Sequence, residues 1–489
     1  MSALVALLAL PLLGAFAAVA LPQRAARPAA YAIVVATLGA AVWLAERVLT
    51  FGVLGLELGG WDPPVGISLE ADGLSAALVV MTALVMTGAA LAARHDLSPG
   101  TAGPRMAFGF WPLVLLLWAA LNAVFLARDL FNLYVAIELL SLASIGLVAI
   151  AGKPAAISAA MRYMVFALSG SLLYLAGVIL VYAAHGTLDM GLLAARTPAA
   201  TDALALALMT AGLMAKTALF PFHVWLPPAH GGAPAPASAI LSALVPKASF
   251  VILLRLWFDT MPDLAAEGAL ILIAGLGTAA VTWGGLCAMT RDRLKLVVAY
   301  STVAQIGYLF LVFPLAGGGG SDVPWSAGAW SGAVFLALSH GLAKAAMFLA
   351  VGQWMIVAGS DRIDDLRGLA VPMPMTAFAF ALAAITLVGL PPSGGFTGKY
   401  LIMTAAFASG QWVWALVMVI GGLLAAAYLY RPMAVIFSRG EGRAVTPLPR
   451  SRQVMPLVLA GASIVLGLAS AGPLDLLSIG RPAAAEEGL

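Results

Sequence analysis

The chain has 489 residues, of which 62% are hydrophobic and only 10% are charged. Soluble domains carry about 25% charged residues, so this composition excludes a soluble globular protein and indicates a polytopic helical membrane protein. The 25 Lys and Arg nearly balance the 22 Asp and Glu, which argues against nucleic-acid binding.

Metal and cofactor motifs are absent from the sequence. Cys287 is the only cysteine, so this chain alone cannot form an internal disulfide, an iron–sulfur cluster or a thiolate zinc site. No Walker pattern GxxxxGK[ST] is present either. We therefore expect no cofactor and no metal in this chain.

Apolar runs of about 20 residues, the length that crosses a bilayer, recur along the whole chain. Fourteen candidates can be delimited: 2–21, 28–48, 71–93, 108–126, 130–151, 160–183, 203–222, 236–258, 266–289, 296–314, 329–357, 372–409, 411–434 and 454–473. The first has no basic residue before Arg24, unlike a signal peptide, so we expect it to be retained. The pattern predicts an all-α polytopic membrane protein with one membrane domain over 1–489.

The distribution of basic residues predicts the orientation. With the N-terminus outside, sixteen of the 25 Lys and Arg lie in inward-facing loops and five lie outside, Arg255 among them. The positive-inside rule favours this topology, with both termini outside, in the cell inner (plasma) membrane. The remaining four basic residues are Lys216, Lys247, Lys344 and Lys399, all within predicted spans.

Two of the predicted spans are interrupted. Prolines between Lys216 and Lys247 (KTALFPFHVWLPPAHGGAPAPASAILSALVPK) break the seventh span, and LPPSGG at 390–395 splits the twelfth, before Lys399. Non-helical backbone survives in a membrane only where protein buries it or where it lines a hydrated cavity. Paired broken helices point to inverted repeats around a transport site. We predict repeats at 108–258 and 266–434, flanked by helices in 1–93 and 454–473.

Glu138 and Lys216 are charges that a lipid-facing helix does not tolerate. A charged side chain at the bilayer centre costs about 2.5 kcal/mol or more, so such residues are paired or functional. A carboxylate beside a buried lysine can hold that lysine between its charged and neutral states. The alternative is a static ion pair that only stabilises packing.

The second half of the chain carries further ionisable residues within its spans. His340 and Lys344 are four residues apart and share one helix face, a spacing suited to a proton relay. Lys399 follows the second break, where free carbonyls and water can solvate it. The alternatives are a hydrogen-bonded structural histidine and a lysine that extends to the membrane surface.

Other polar residues have simpler interpretations. We expect His223 and His230 to pack near the membrane surface beside Trp225. Acidic residues at the predicted span ends are expected to be solvated helix caps; they are Asp129, Asp189, Asp202 and Asp292.

Several long motifs, in order, resemble the antiporter-like subunits shared by respiratory complex I, membrane-bound hydrogenases and multisubunit Na⁺/H⁺ (Mrp-type) antiporters. The motifs are RDLFNLYVAIE (128–138), AKTALFPFHVWLPPAH (215–230), APAPASA (233–239), RDRLKLVVAYSTVAQIGY (291–308), LSHGLAKAAMF (338–348) and LPPSGGFTGK (390–399). FNLYVAIE and HGTLDMGLLA (185–194) look most like the D-type antiporter subunit.

This resemblance implies fourteen helices, two inverted five-helix repeats and a mid-membrane axis of charged residues. It implies a coupled pair at Glu138 and Lys216, a connecting lysine at 247, a relay at His340 and Lys344, and an exit residue at Lys399. The chain departs from many relatives at Pro246 and Ser249, and the proline is expected to alter the helix around Lys247.

The sequence favours a proton-translocating subunit of a monovalent cation/proton antiporter, with other membrane subunits, protons and Na⁺ as partners. The alternative is a proton-pumping subunit of an NADH:quinone oxidoreductase or membrane-bound hydrogenase complex, whose redox cofactors belong to other subunits. A structural membrane subunit with an inactive channel is the third candidate.

Overall fold

A computed structural model describes residues 2–96, 103–317, 324–438 and 445–481. In chain order the α-helices of these residues are α1 (Ala3–Ala20), α2 (Gln23–Phe51), α3 (Gly73–Asp96), α4 (Pro104–Leu126), α5 (Leu130–Ala149), α6 (Pro154–His185), α7 (Met190–Ala194), α8 (Asp202–Thr217), α9 (Leu226–Gly232), α10 (Ala235–Leu254), α11 (Glu267–Met289), α12 (Leu294–Leu309), α13 (Val312–Ala316), α14 (Pro324–Ala358), α15 (Pro374–Val388), α16 (Gly394–Ala408), α17 (Trp412–Ile436), α18 (Arg450–Leu468) and α19 (Ala471–Ser478). A π-helical turn, Arg255–Thr260, extends α10. Strands β1 (Leu54–Glu57) and β2 (Ser68–Ala71) form one antiparallel hairpin.

The predicted multi-span helical membrane fold is confirmed. Within the described ranges, thirteen helical segments are long and apolar enough to cross a membrane. One of them, Asp202–Gly232, joins α8 to α9 through a short 3-10 turn. The predicted run 372–409 consists of two 15-residue helices, α15 and α16, and is not among those thirteen segments. The repeat boundaries at 108–258 and 266–434 stay a prediction.

Helices α10 and α14 form the centre of the bundle. Their apolar windows are 100% buried, whereas the windows of α2 and α18 at the periphery are 33% and 28% buried. Because the windows of α10 and α14 are fully buried, other helices enclose them on every side. Any polar side chain on α10 or α14 therefore lies inside protein and not against lipid.

Both predicted breaks have a local backbone cause. Helix α8 ends after Thr217 because Ala218 adopts a left-handed conformation with φ of 60°, which is unusual for a residue with a Cβ atom. Helix α15 ends at Gly389, whose φ is 87°. Ser393 then starts α16 by accepting a hydrogen bond from the Phe396 amide at 3.2 Å. The two breaks leave helix ends inside the bundle.

Arg255, one of the five basic residues predicted to lie outside, is enclosed by the protein. Its guanidinium is buried and donates two hydrogen bonds to Asp72, at 2.7 and 2.9 Å, and one to Asp259 at 3.0 Å. Asp72 directly follows β2 of the hairpin, which the sequence analysis did not predict. The pair therefore joins the hairpin and the start of α3 to the end of α10.

Helices α6 and α8 approach each other closely at Gly170 and Gly212. A Cβ atom on Gly170 would lie 2.7 Å from the Gly212 carbonyl oxygen, and one on Gly212 would overlap the Gly170 carbonyl. Small residues at such a crossing allow backbones to pack in the membrane.

Gly212→Val is expected to separate α6 from α8 and to lower the free energy of unfolding by about 1–3 kcal/mol, the usual cost of overpacking. Thermal unfolding in detergent measures the change. Gly275→Val on α11 is the matched control, because an added Cβ there meets no atom within 4 Å of the described structure. Equal stability of the two variants would contradict the assigned packing role of Gly212.

Candidate functional site

Glu138 on α5 and Lys216 on α8 form an ion pair inside the bundle. The Lys216 Nζ atom lies 3.0 Å from Glu138 Oε1 and also donates to Ser141 Oγ at 2.8 Å. Ser171 on α6 donates a hydrogen bond to the same carboxylate oxygen. Lys216 is buried, whereas the Glu138 side chain keeps 20% of its surface exposed. Three helices thus hold one carboxylate and one ammonium in direct contact.

Lys247 lies on α10 and is completely buried. Its Nζ atom donates a hydrogen bond of 2.8 Å to the Ser242 carbonyl oxygen of the same helix. Within the described residues it forms no ion pair with a carboxylate. A buried ammonium without a counter-ion is costly, so the hydrogen bond to the Ser242 carbonyl is the polar contact that supports it.

His340 and Lys344 lie on α14, one helical turn apart, as the spacing predicted. The Lys344 Nζ atom donates to the Val298 carbonyl oxygen at 2.9 Å and to Ser301 Oγ, both on α12. The His340 ring is buried, and neither of its nitrogens has a hydrogen-bond partner in the described part of the chain. The charges of Lys247, Lys344 and Lys399 all act on this ring. The histidine therefore lies within electrostatic reach of lysines on three helices.

Lys399 on α16 binds the carbonyls released by the second break. Its Nζ atom donates to Leu387 and Val388, each at 3.0 Å, at the end of α15. The same ammonium lies 4.5 Å from the centre of the Tyr308 ring, a favourable cation–π distance. Lys399 is buried, so it does not extend to the membrane surface.

Helix α12 has a polar face that the sequence did not predict. This face contacts Lys344 directly, and it contacts the residues to which Lys247 and Lys399 donate. Thr302 Oγ1 lies 2.8 Å from the hydroxyl oxygen of Ser242, and the carbonyl oxygen of Ser242 accepts the hydrogen bond from Lys247. Thr302 also donates to the Val298 carbonyl that Lys344 binds, at 3.1 Å. Gln305 donates to the Leu387 carbonyl that Lys399 binds, at 3.0 Å. The spacing of Val298, Thr302 and Gln305 along one helix face was the available signal.

Three polar residues expected near the surface are buried instead. His223 and His230 are both buried, and no partner of either His230 nitrogen occurs among the described residues. Asp202 accepts a hydrogen bond from the Ala199 amide at 2.7 Å and lies 2.8 Å from His185 Nε2, so it is not a solvated cap. The surface interpretation failed because burial of a connecting segment depends on neighbouring helices that local sequence does not reveal.

The three other acidic residues predicted at span ends lie at helix starts or at the surface. Asp129 accepts a hydrogen bond from the Asn132 amide at 2.8 Å and starts α5, and Asp189 accepts one from the Leu192 amide at 2.9 Å and starts α7. Asp292 is exposed and pairs with Arg431 at 2.9 Å.

A cavity of about 890 Å³ lies against the broken segment around α9. Its basic lining residues are Lys153, Arg291, Arg293, Lys295 and Arg452. Lys295 is buried at the inner end of this set and donates a hydrogen bond to the Ala233 carbonyl. The Lys295 charge acts on His230, which is also within electrostatic reach of Lys344 and Lys247. The cavity thus borders the group of buried ionisable residues.

The arrangement is suited to moving charge and not to making covalent bonds. It combines one carboxylate, four lysines and buried histidines, spread over helices α5, α8, α9, α10, α14 and α16. Among the described residues, no group of three or more His, Cys, Asp or Glu side chains is placed to hold a metal ion. The fold and site define a polytopic membrane protein with several titratable groups buried in its interior.

Known proteins are similar to this chain in sequence and in fold. Residues 127–425 match the family model described as NADH:quinone oxidoreductase/Mrp antiporter, TM. The chain is 35% identical to NADH-quinone oxidoreductase subunit N of Desulforudis audaxviator over 441 residues, covering 88% of this chain and 86% of that protein. It is 29% identical to the D-type subunit of the Na(+)/H(+) antiporter of Alkalihalophilus pseudofirmus, covering 80% and 77% respectively.

A solved structure extends the similarity to the whole fold. A chain in the structure of the Mrp complex from Dietzia sp. DQ12-45-1b superposes with a TM-score of 0.86 at 26% identity, covering 99% of this chain and 98% of that chain. The protein belongs to the NADH:quinone oxidoreductase/Mrp antiporter transmembrane family.

Proposed function

We propose that this protein is a proton-translocating subunit of a multisubunit monovalent cation/proton antiporter. The observation that carries the proposal is the Glu138–Lys216 ion pair in a bundle that also buries three further lysines, whose partners among the described residues are polar but uncharged: Lys247, Lys344 and Lys399. No counter-ion in the described bundle fixes those three lysines in their charged form, so each of them can change its charge. Similarity to a D-type antiporter subunit supports this assignment.

The proposed path runs laterally through the middle of the bundle. Glu138 and Lys216 act as the coupled pair, Lys247 as the connection, His340 and Lys344 as the relay, and Lys399 as the exit residue. The polar face of α12 supports the later part of this order, since Thr302 shares the Val298 carbonyl with Lys344. Gln305 shares the Leu387 carbonyl with Lys399. Loss of the Glu138 charge would weaken proton retention on Lys216, and the change would pass along this path as each ammonium alters its neighbour.

Partners and location follow from the family. We infer that the chain assembles with other membrane subunits and exchanges protons for a cation such as Na⁺ in the cell inner membrane. Both termini are assigned to the outside, because most loop Lys and Arg residues then face inward. The cavity bordered by Lys153, Arg291 and Arg293 then opens on the inner side and offers water a route towards Lys295.

A redox-driven pump is the second candidate, favoured by the 35% identity to a quinone oxidoreductase subunit. The same ionisable residues would then act under a different energy source. Purification of the intact assembly separates the two candidates: flavin or iron–sulfur absorbance favours the pump, and its absence in an assembly with sodium-dependent exchange favours the antiporter.

Glu138→Gln tests the proposed function in everted membrane vesicles that contain the whole assembly. A fluorescent ΔpH indicator is expected to report at least about a 10-fold loss of sodium-dependent proton movement, because glutamine keeps the shape but cannot change charge. Glu57→Gln on the exposed hairpin is the matched control and should transport normally. Full exchange in a correctly assembled Glu138→Gln variant would refute the role of the pair.

A further inference from the structure

Prolines inside helices leave specific carbonyl oxygens without their usual donor. A helical residue normally donates its N–H to the carbonyl four positions earlier, and proline has no N–H to donate. The carbonyl then needs another donor when it is buried. The identity of that donor depends on which side chains lie beside the gap.

In three helices of this structure, a side chain donates to the carbonyl that the proline leaves without its N–H donor. Pro11 removes the helical donor to the Leu7 carbonyl in α1, and Asn122 donates its Nδ2–H to that oxygen at 2.7 Å. Pro456 removes the helical donor to the Arg452 carbonyl in α18, and Gln353 donates its side-chain N–H to that oxygen. Pro246 does so to the Ser242 carbonyl in α10, to which Lys247 donates at 2.8 Å. Of these three donors, Lys247 is the one that can change its charge.

We propose that Pro246 is a positioning residue that provides Lys247 with its hydrogen-bond acceptor. The proline converts a carbonyl that the helix would otherwise use into a binding point for the ammonium inside the bundle. This inference rests on the proposed function and adds to it a residue that touches no transported ion.

The acceptor matters because the surroundings of Lys247 are cationic or neutral. His340 and Lys344 on α14 and His230 on α9 are the titratable groups on which the Lys247 charge acts. Glu138 on α5 and Lys216 on α8 form an ion pair with each other and none with Lys247. The charged residues Arg94 of α3, Arg105 of α4 and Lys295 of α12 lie in the terminal turns of their helices. The Ser242 carbonyl is therefore the main group that stabilises the charged form of Lys247.

The test is the pH profile of cation/proton exchange by the intact assembly carrying Pro246→Ala. Alanine restores the N–H, which competes with Lys247 for the Ser242 carbonyl. Lys247 then holds its proton less firmly, and the profile is expected to move by about one pH unit towards acid. Pro246→Gly also restores the N–H and should give the same displacement, which separates the effect from that of side-chain size.

Pro11→Ala is the matched control, because it makes the same chemical change beside an amide donor that does not titrate. Its pH profile should coincide with that of the unmodified assembly. An unchanged profile in both Pro246 variants, or an equal displacement in Pro11→Ala, would overturn the inference.

Lys247→Ala separates this inference from the proposed function. Loss of exchange in Lys247→Ala with an unchanged profile in Pro246→Ala would refute only the positioning role of the proline. Full exchange in Lys247→Ala would instead refute the proposed proton path through this lysine.

Discussion

Lys216→Met is expected to reduce cation-coupled proton movement by about 100-fold or more, the usual contribution of a positioned proton-transfer group. Methionine has a similar length and fills the space between α5 and α8, but it carries no charge. Glu138 then loses the ammonium at 3.0 Å and keeps only the hydrogen bond from Ser171. Methionine cannot take up or release a proton at this position, so the coupled pair can no longer change state.

Lys216→Arg separates loss of proton release from loss of the ion pair. Arginine preserves the ion pair with Glu138 but does not release its proton under physiological conditions. We expect normal assembly and a similarly large loss of exchange in everted vesicles. Arg196→Met, at an exposed position away from the cavity beside α9, is the control and should leave exchange within about 2-fold of normal. Full activity of Lys216→Arg would contradict proton release from this position.

Asp72→Asn is expected to lower the free energy of unfolding by about 3 kcal/mol, because removal of one partner leaves the buried Arg255 guanidinium short of a counter-charge. Asp259 at 3.0 Å and Ser75 at 3.1 Å keep part of the network. Thermal unfolding in detergent, followed by tryptophan fluorescence, measures the loss. Arg431→Gln is the control: it removes the exposed pair with Asp292 and should cost less than about 1 kcal/mol. Equal costs would contradict a special contribution of Asp72.

The same carboxyl group gives the stability a pH dependence. Burial opposes ionisation of Asp72, but the charge of Arg255 and its hydrogen bonds hold the pKa of Asp72 below its ordinary value of 3.8. Because the folded protein binds this proton less well than the unfolded chain, the contribution is complete above pH 3.8 and is lost as the pH falls through the lower, folded value. The Asp72→Asn variant should therefore lose less stability than the unmodified protein over that acid range.

The sequence predicted the ionisable residues of the site better than it predicted their partners. Burial inside apolar sequence was sufficient to identify Glu138, Lys216 and Lys344, because a charge in a membrane helix is costly wherever the helix packs. Ser141 could have been added from its spacing of three residues after Glu138. The backbone acceptors at Ser242, Val298 and Leu387 could not, since a carbonyl becomes an acceptor only through its position in the folded bundle.

His230 and Arg255 show the limit of reading a topology from composition. His230 was expected near the membrane surface and Arg255 on the outer side of the membrane, and both side chains are buried in the protein. Arg255 is paired with Asp72, a residue 183 positions away in the chain. Nothing in the sequence around either residue reveals a contact at that separation.

The sequence by itself determined the helical membrane class, the fourteen apolar runs and the two broken helices, because insertion into a bilayer and helix termination depend on local composition and on proline or glycine. The tertiary structure alone decided which helices are enclosed and which oxygen atom each lysine binds. Those outcomes depend on distances between segments far apart in the chain, and side-chain periodicity carries no information about them.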